Sequence, residues 1–552
     1  MNNKKTVLRK LMILMICLTV FFVFNRFGYT FYQTNDDEAL NLIAAGAYGI
    51  GYSQYLIYVN IAVGWFLRIC YQLIPSVNWY YTIFLALNII SIYCLAECLT
   101  RVMNLFDTIW ITFLINALLS YDFYGAFQFT KNAFLYSASG WLLFSRCMKD
   151  GNTRDTVLSF LLLVIGFCCR RQSFLFTLPF AAVYLGLQLT GSGKKINEYS
   201  HVLRHLGIIM AGCLVLFAAD RQPYRLKEWQ TYEKINDYST YILDFGGLKY
   251  SRHEQKLNEL NISETDLKVL QSWNYGDPDK FTPDTLEQMV SLQEPRFTVQ
   301  KTVTYAQRSL SRILDLITGK QNLTIFVLIM SVLVILTGKK QALVLTVCIW
   351  LIILVEYLFL QSLHRVPWRV AIGIWLMAGV ILGDWLSTNT AFKNRAVKAL
   401  LCLVFGLASV FCFQKHYIYM HMMKDKPDFD HFFETIRHEH PDRFYLGDVE
   451  TFCDRAMVSD YAAINASYTG RYENFMFLGG WEIPSPMGCN YARQRDIFNP
   501  YRALIERDDV LLASAHEDNV QLIREYLREY DPSVALEQVD EIDGIAIWKT
   551  KR

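Results

Sequence analysis

The chain has 552 residues, 53% of them hydrophobic and 15% aromatic, with a net charge of +2. Its apolar residues fall in repeated long runs rather than at helical or strand spacing, which excludes an ordinary water-soluble core. No block of Lys and Arg interleaved with aromatics offers a groove for nucleic acid, and most of the thirteen cysteines lie inside apolar runs without metal-ligand spacing, which excludes a disulfide framework or zinc site.

Lys4, Lys5, Arg9 and Lys10 precede the first apolar run, which lacks a small-x-small cleavage site and is expected to stay as an uncleaved span. Runs long enough to span follow, giving eleven in all: 11–31, 79–98, 108–124, 132–144, 157–169, 174–189, 206–219, 323–336, 342–360, 370–386 and 400–413. The fold class expected is an α-helical polytopic membrane protein with about eleven transmembrane helices.

The run 54–74 carries Gln54, Asn60, Arg68 and Gln72. If it crosses, every basic cluster from Arg101 onward falls outside, against the rule that short cytoplasmic loops collect Lys and Arg. It is therefore expected to lie on the outer surface as an amphipathic helix. That parity puts the N-terminus in the cytoplasm and the C-terminus outside it. The chain then divides into a transmembrane part, 1–415, with outer loops at 32–78 and 220–321, and a small extracytoplasmic α/β domain, 416–552. In the large loop Thr282-Pro283-Asp284 reads as a helix start. In the last segment three strand-like runs, 443–446, 475–478 and 510–513, accompany a helical stretch, 519–530, and Asp543-Gly544 is a two-residue hairpin signal. No Walker loop, dinucleotide fingerprint, zincin or Gly-x-Ser-x-Gly motif is present; Gly191-Ser192-Gly193-Lys194-Lys195 lacks the first glycine and the preceding strand of a P-loop.

Asn35-Asp36-Asp37-Glu38 directly follows the first span. Adjacent carboxylates raise each other's proton affinity, so such a cluster can take a proton from a hydroxyl, or Asp36 and Asp37 can hold a divalent cation. It can equally be a solvated acidic loop. Beyond it come Gly46, Gly49 and Gly51, the aromatic stretch 52–60, and Pro75-Ser76-Val77-Asn78-Trp79-Tyr80 at the second span. With this acidic box, the helical stretches 40–48 and 54–74 and then a second span, the chain resembles the GT-C superfamily of membrane glycosyltransferases, which includes protein mannosyltransferases and the aminoarabinose transferases of lipid A. A run of the Lys-Pro-Pro-Leu type does not follow the acids; Tyr52-Ser53-Gln54-Tyr55 stands there.

The resemblance implies transfer of a sugar from a polyprenyl-phosphate donor to a cell-envelope glycan, lipid or protein on the outer face of a bacterial cytoplasmic membrane. Asp37 is then the expected base, assisted by Asp36 or Asp122, with inversion at the anomeric carbon. Arg170, Arg171, Arg365 and Arg369, at outer ends of spans, are expected to bind the donor phosphate, because a guanidinium fork matches a phosphate oxygen pair; anchoring among lipid headgroups is the plainer alternative. Glu38, Tyr52, Gln54, Lys131, His364 and Trp481 are candidates for sugar or acceptor contacts. Asp122 has a competing role as the ion-pair partner of Lys131, and Trp481 as a core aromatic beside a tight turn. Rival readings are a polymerase or ligase of lipid-linked glycans, and a transporter or scaffold. Against transport, the charges gather at outer span ends rather than at mid-membrane.

Overall fold

A computed structural model describes residues 2–27, 30–191, 200–293, 298–319, 321–388, 429–455 and 468–552, with scattered positions from 407 to 418. In chain order the first helices are α1 (Asn2–Phe27), α2 (Asn35–Ala44), α3 (Ile61–Leu73), α4 (Trp79–Leu99), α5 (Leu105–Ser120), α6 (Phe129–Asp150), α7 (Thr153–Cys169), α8 (Arg171–Gly191) and α9 (Ser200–Asp220). A run of short polar helices follows: α10 (Lys227–Thr240), α11 (Tyr250–Glu259), α12 (Glu264–Gln271) and α13 (Pro283–Ser291). Then come α14 (Val299–Thr318), α15 (Asn322–Ile335), α16 (Lys340–Ser362) and α17 (Trp368–Thr388).

Among the described residues, six helices, α1, α4, α8, α9, α16 and α17, are each long and apolar enough to cross a membrane, and a seventh crossing arises if α14 and α15, which meet at 97°, form one bent span. The chain is a polytopic membrane protein. Of the eleven expected spans, six or seven meet that test of length and apolarity, and the other runs fall short of it for physical reasons. Helices α5, α7 and α15 have 16, 17 and 14 residues, at or below the short end of the roughly 17–25 that cross a bilayer core. Helix α6 is long enough at 22 residues but polar. Every residue from 129 to 148 is buried, and α4, α7, α8 and α17 pack around it, so it has no lipid-facing surface to make apolar. Small residues permit that packing: a Cβ on Gly166 would lie 2.4 Å from Ser137 Oγ, and one on Gly373 2.1 Å from the Phe134 ring. The run 400–413 falls almost wholly outside the described residues.

The segment 54–74 is helical only from Ile61, where Asn60 caps α3 by accepting from Ala62 N at 3.0 Å. Upstream, Ile57 has φ +58°, a backbone conformation that a β-branched residue strongly disfavours and that ends any helix there. At 13 residues α3 is too short to span, and Trp65, Phe66, Ile69 and Leu73 on its surface are exposed. These are the features of a helix lying in the membrane interface.

The chain from 429 onward builds a five-stranded sheet of order β4-β3-β5-β7-β6, with β3 (Phe444–Gly447), β4 (Phe475–Phe477), β5 (Val510–Ser514), β6 (Ala535–Ile542) and β7 (Ile545–Lys551). Strand β3 is parallel to both β4 and β5, and β7 is antiparallel to β5 and β6. Asp543 and Gly544, at φ +52° and +75°, make the hairpin turn. Since β3 sits between the two strands that follow it, the strand order reverses there, the place where open sheets present loops to a ligand. Backbone bonds join this region to the segment after α2: Gly470 N to Gly46 O at 3.1 Å and Tyr472 N to Ala47 O at 2.7 Å. A two-residue parallel pair, β1 (Phe31–Tyr32) with β2 (Ala126–Phe127), holds the chain before α2 against the start of α6.

Candidate active site

A cavity of about 960 Å³ lies where the start of α2, the ends of α8, α9, α16 and α17, the segment 220–273 and the loops after β3 and β4 converge. Phe176, Phe217, Phe359, Leu360, Leu363 and Val370, all on spanning helices or the turn between α16 and α17, line one part of it. Arg170, Arg171, Arg365 and Arg369 line it too. So do Asp36 and Trp481.

The fold brings these side chains together by tying helix ends to each other. Asp220 at the end of α9 accepts from Ile61 N at 2.8 Å, and Asn60 N donates to Cys168 O at 2.8 Å. That fixes Tyr58 beside the α7–α8 junction, where the Arg170 guanidinium sits 5.1 Å over the Tyr58 ring and 5.5 Å over Phe129. Arg171 lies 4.9 Å over Phe217. Arg365 is ion-paired with Asp244, which belongs to the turn after α10. Asp36 is within electrostatic reach of Arg170, Asp244 and Glu482. Burial raises the Asp244 carboxyl above the ordinary range, against the pull of Arg365 and Arg369. Burial likewise pushes Glu482 up to about 7; its hydrogen bond with Tyr48 opposes the rise and the charge of Asp36 adds to it.

The remaining expected site residues lie elsewhere. Asp37 is fully buried and does not line the cavity. Its Oδ1 accepts from Phe129 N at 2.9 Å and Tyr80 Oη at 3.0 Å, and Thr34 Oγ1 donates to Oδ2 at 3.3 Å. Successive residues of a helix point about 100° apart, so α2 turns Asp36 to the cavity and Asp37 into protein. The two carboxylates are thus not presented together to a cation. Among the described residues, no group of three or more His, Cys, Asp or Glu side chains could hold a metal ion. Asp122 and Lys131 form a buried ion pair at 3.0 Å, and Asp122 also accepts from Trp368 Nε1 at 3.2 Å. Glu38 is buried, and Gln54 accepts from Arg68 at 2.6 Å. His364 packs edge-on to Tyr305 at 5.8 Å. Glu38, Tyr52, Gln54, Lys131 and His364 do not line the cavity.

No family model and no curated protein matches the chain. Solved structures do resemble it. The crystal structure of ArnT from Cupriavidus metallidurans in the apo state is similar over 98% of this chain and 97% of that one, at 11% sequence identity and a TM-score of 0.42. That distance leaves the chemistry to be argued from the residues themselves.

Sequence reasoning missed Asp244, Glu482 and Trp273, all of which line the cavity. Asp244 and Glu482 sit in unremarkable polar stretches and reach the cavity only through long-range folding. Ile57 and Trp273, at φ +58° and +64°, both line the cavity, and His364, at φ +58°, adjoins Arg365. Such strain persists only where surrounding structure imposes it, and it gathers at functional sites.

Proposed function

We propose that this chain is a membrane glycosyltransferase of GT-C type that takes a sugar from a polyprenyl-phosphate donor and passes it to an acceptor on the outer face of a bacterial cytoplasmic membrane. The observation that carries this reading is the convergence of four arginines with the Asp36 carboxylate in one cavity that is apolar where the spans end. A phosphate has its charge in the headgroup layer and its prenyl chain among the spans, and this cavity offers guanidiniums for the first and Phe and Leu side chains for the second.

In the proposed step Asp36, rather than Asp37, accepts the proton of an acceptor hydroxyl. The acceptor oxygen bonds to the anomeric carbon from the face opposite the phosphate, and the carbon–oxygen bond to the phosphate breaks. The electron pair leaves with polyprenyl phosphate, whose charge Arg170, Arg171 and Arg369 stabilise. Configuration inverts. Arg365 is held by Asp244 and serves the phosphate only when that pair opens.

The purified protein in nanodiscs tests this. It should bind undecaprenyl phosphate, lose at least tenfold in affinity on Arg170→Gln, and release polyprenyl phosphate from a polyprenyl-phosphate sugar in the presence of envelope acceptor. Absence of prenyl-phosphate binding overturns the reading.

A further inference from the structure

One wall of the cavity is built by a seam between the segment after α12 and the loop after β4. Gly276 N donates to Leu478 O at 2.8 Å, and Gly480 N donates to Trp273 O at 2.8 Å. Glycine makes the approach possible: a Cβ on Gly276 would lie 2.3 Å from Leu478 O, and one on Gly479 2.1 Å from Trp273 O. The seam holds Trp273 at φ +64°, a conformation unfavourable to a bulky L residue. The ring rests against the core on one side but is only partly buried, and it lines the cavity.

Trp481, edge-on to Tyr58 at 4.9 Å, is a buried core aromatic that borders the same cavity, as do Glu450 and Glu482. Glu450 accepts from Asn519 at 3.0 Å and Glu482 from Tyr48, so both carboxylates are held by uncharged donors. The chemistry of this wall differs from that of the arginines. An indole face covers the C–H face of a pyranose, and carboxylates accept from sugar hydroxyls. Neither attracts an anion.

We propose that Trp273, with Trp481, Glu450 and Glu482, forms the acceptor subsite, and that it takes an uncharged glycan. The assignment of the bound glycan as acceptor rests on the transferase reading above; the glycan site itself does not.

Calorimetry on the full chain in nanodiscs tests it, with neutral hexasaccharides of glucose, mannose and N-acetylglucosamine as probes and an oligogalacturonate of equal length as the anionic control. At least one neutral probe should bind, and Trp273→Gly should weaken it tenfold or more with only a small fall in melting temperature, because glycine adopts φ +64° freely and this relief offsets part of the lost packing. Trp273→Phe, which keeps an aromatic face, should stay within about threefold. Glu482→Gln should weaken the neutral probe too. Undecaprenyl phosphate should bind all three variants as it binds the parent. The proposal is overturned if no neutral probe binds, if the oligogalacturonate binds as tightly, or if Trp273→Gly binds like the parent. Should glycan binding depend on Trp273 while prenyl phosphate does not bind, the transferase reading falls and the glycan site stands.

Discussion

The adjacent carboxylates Asp36 and Asp37 are the sharpest division of labour in the molecule. Asp36→Asn removes the proton acceptor in the cavity and should lower transfer about a hundredfold to ten-thousandfold with prenyl-phosphate affinity nearly intact, while Asp37→Asn should keep most of the transfer rate. The second variant carries a separate signature. Burial is the main cause that raises Asp37 to about 8 from 3.8, its hydrogen bonds opposing the rise and Asp36 adding to it. A carboxyl whose folded value lies above its unfolded one holds its proton more tightly when folded, so its stabilisation is complete below about pH 4 and is lost as pH climbs toward 8. Asparagine mimics the protonated acid. The melting temperature should therefore fall less between pH 5 and pH 8 in Asp37→Asn than in the parent, by about 2–4 °C, and parallel profiles would refute the buried role. The acidic box was legible in the sequence, whereas the choice within it was not. The usable signal was helical phase: Asp37, Leu40, Asn41 and Ala44 share one face and all are fully buried, but that reading requires knowing that α2 begins at Asn35.

Among elements, the junction of α6 with the tight turn Tyr121–Gly125 and α17 sets where Arg369 stands. Asp122 on that turn accepts from Lys131 of α6 and from Trp368, the residue before Arg369. Removing one partner of a buried pair leaves the other charge uncompensated, at a cost of about 3–5 kcal/mol. Lys131→Met should accordingly destabilise the protein strongly in thermal melts and weaken prenyl-phosphate binding through Trp368. The double variant Lys131→Met with Asp122→Leu should regain most of the stability and little of the binding, because Trp368 Nε1 then loses its acceptor. If binding recovers in step with stability, the junction does not position Arg369. Elements with local determinants were readable. The Asp543-Gly544 turn, the strand cores and the Thr282 cap, which accepts from Thr285 N at 3.1 Å, depend on a few neighbouring residues. The start of α3 was not readable, because the left-handed Ile57 interrupts the run 54–74 without a glycine to announce it, and the full length of α6 was not, because a helix surrounded by protein carries polar residues beyond the apolar run 132–144.

At the scale of the whole molecule, contacts alone constrain which parts share a side of the membrane. Backbone bonds join the segment after α2 to the sheet region at Gly46–Gly470 and Ala47–Tyr472, and the seam at Trp273–Gly480 joins the polar helices to it as well. All three therefore lie on one side. The other end of α1 belongs to a different cluster. Lys10 pairs with Glu97 at 3.0 Å, Arg154 with Glu97 at 3.1 Å and Arg101 with Asp155 at 3.5 Å, gathering the N-terminal half of α1, the end of α4 and the start of α7. Since α1 crosses the bilayer between these two groups, the cluster and the sheet must face opposite compartments. On the rule that short cytoplasmic loops collect Lys and Arg, the cluster of Lys10, Arg101 and Arg154 is expected to face the cytoplasm. Single cysteines introduced at Arg154 and Arg552 and probed with a membrane-impermeant maleimide on intact cells, the parent serving as blank, should give labelling at 552 without permeabilisation and at 154 only after it. Labelling of both from one side would contradict the crossing of α1. The reverse pattern would keep the fold but put the cavity on the cytoplasmic face, where a donor presented on the outer leaflet could not reach the four arginines.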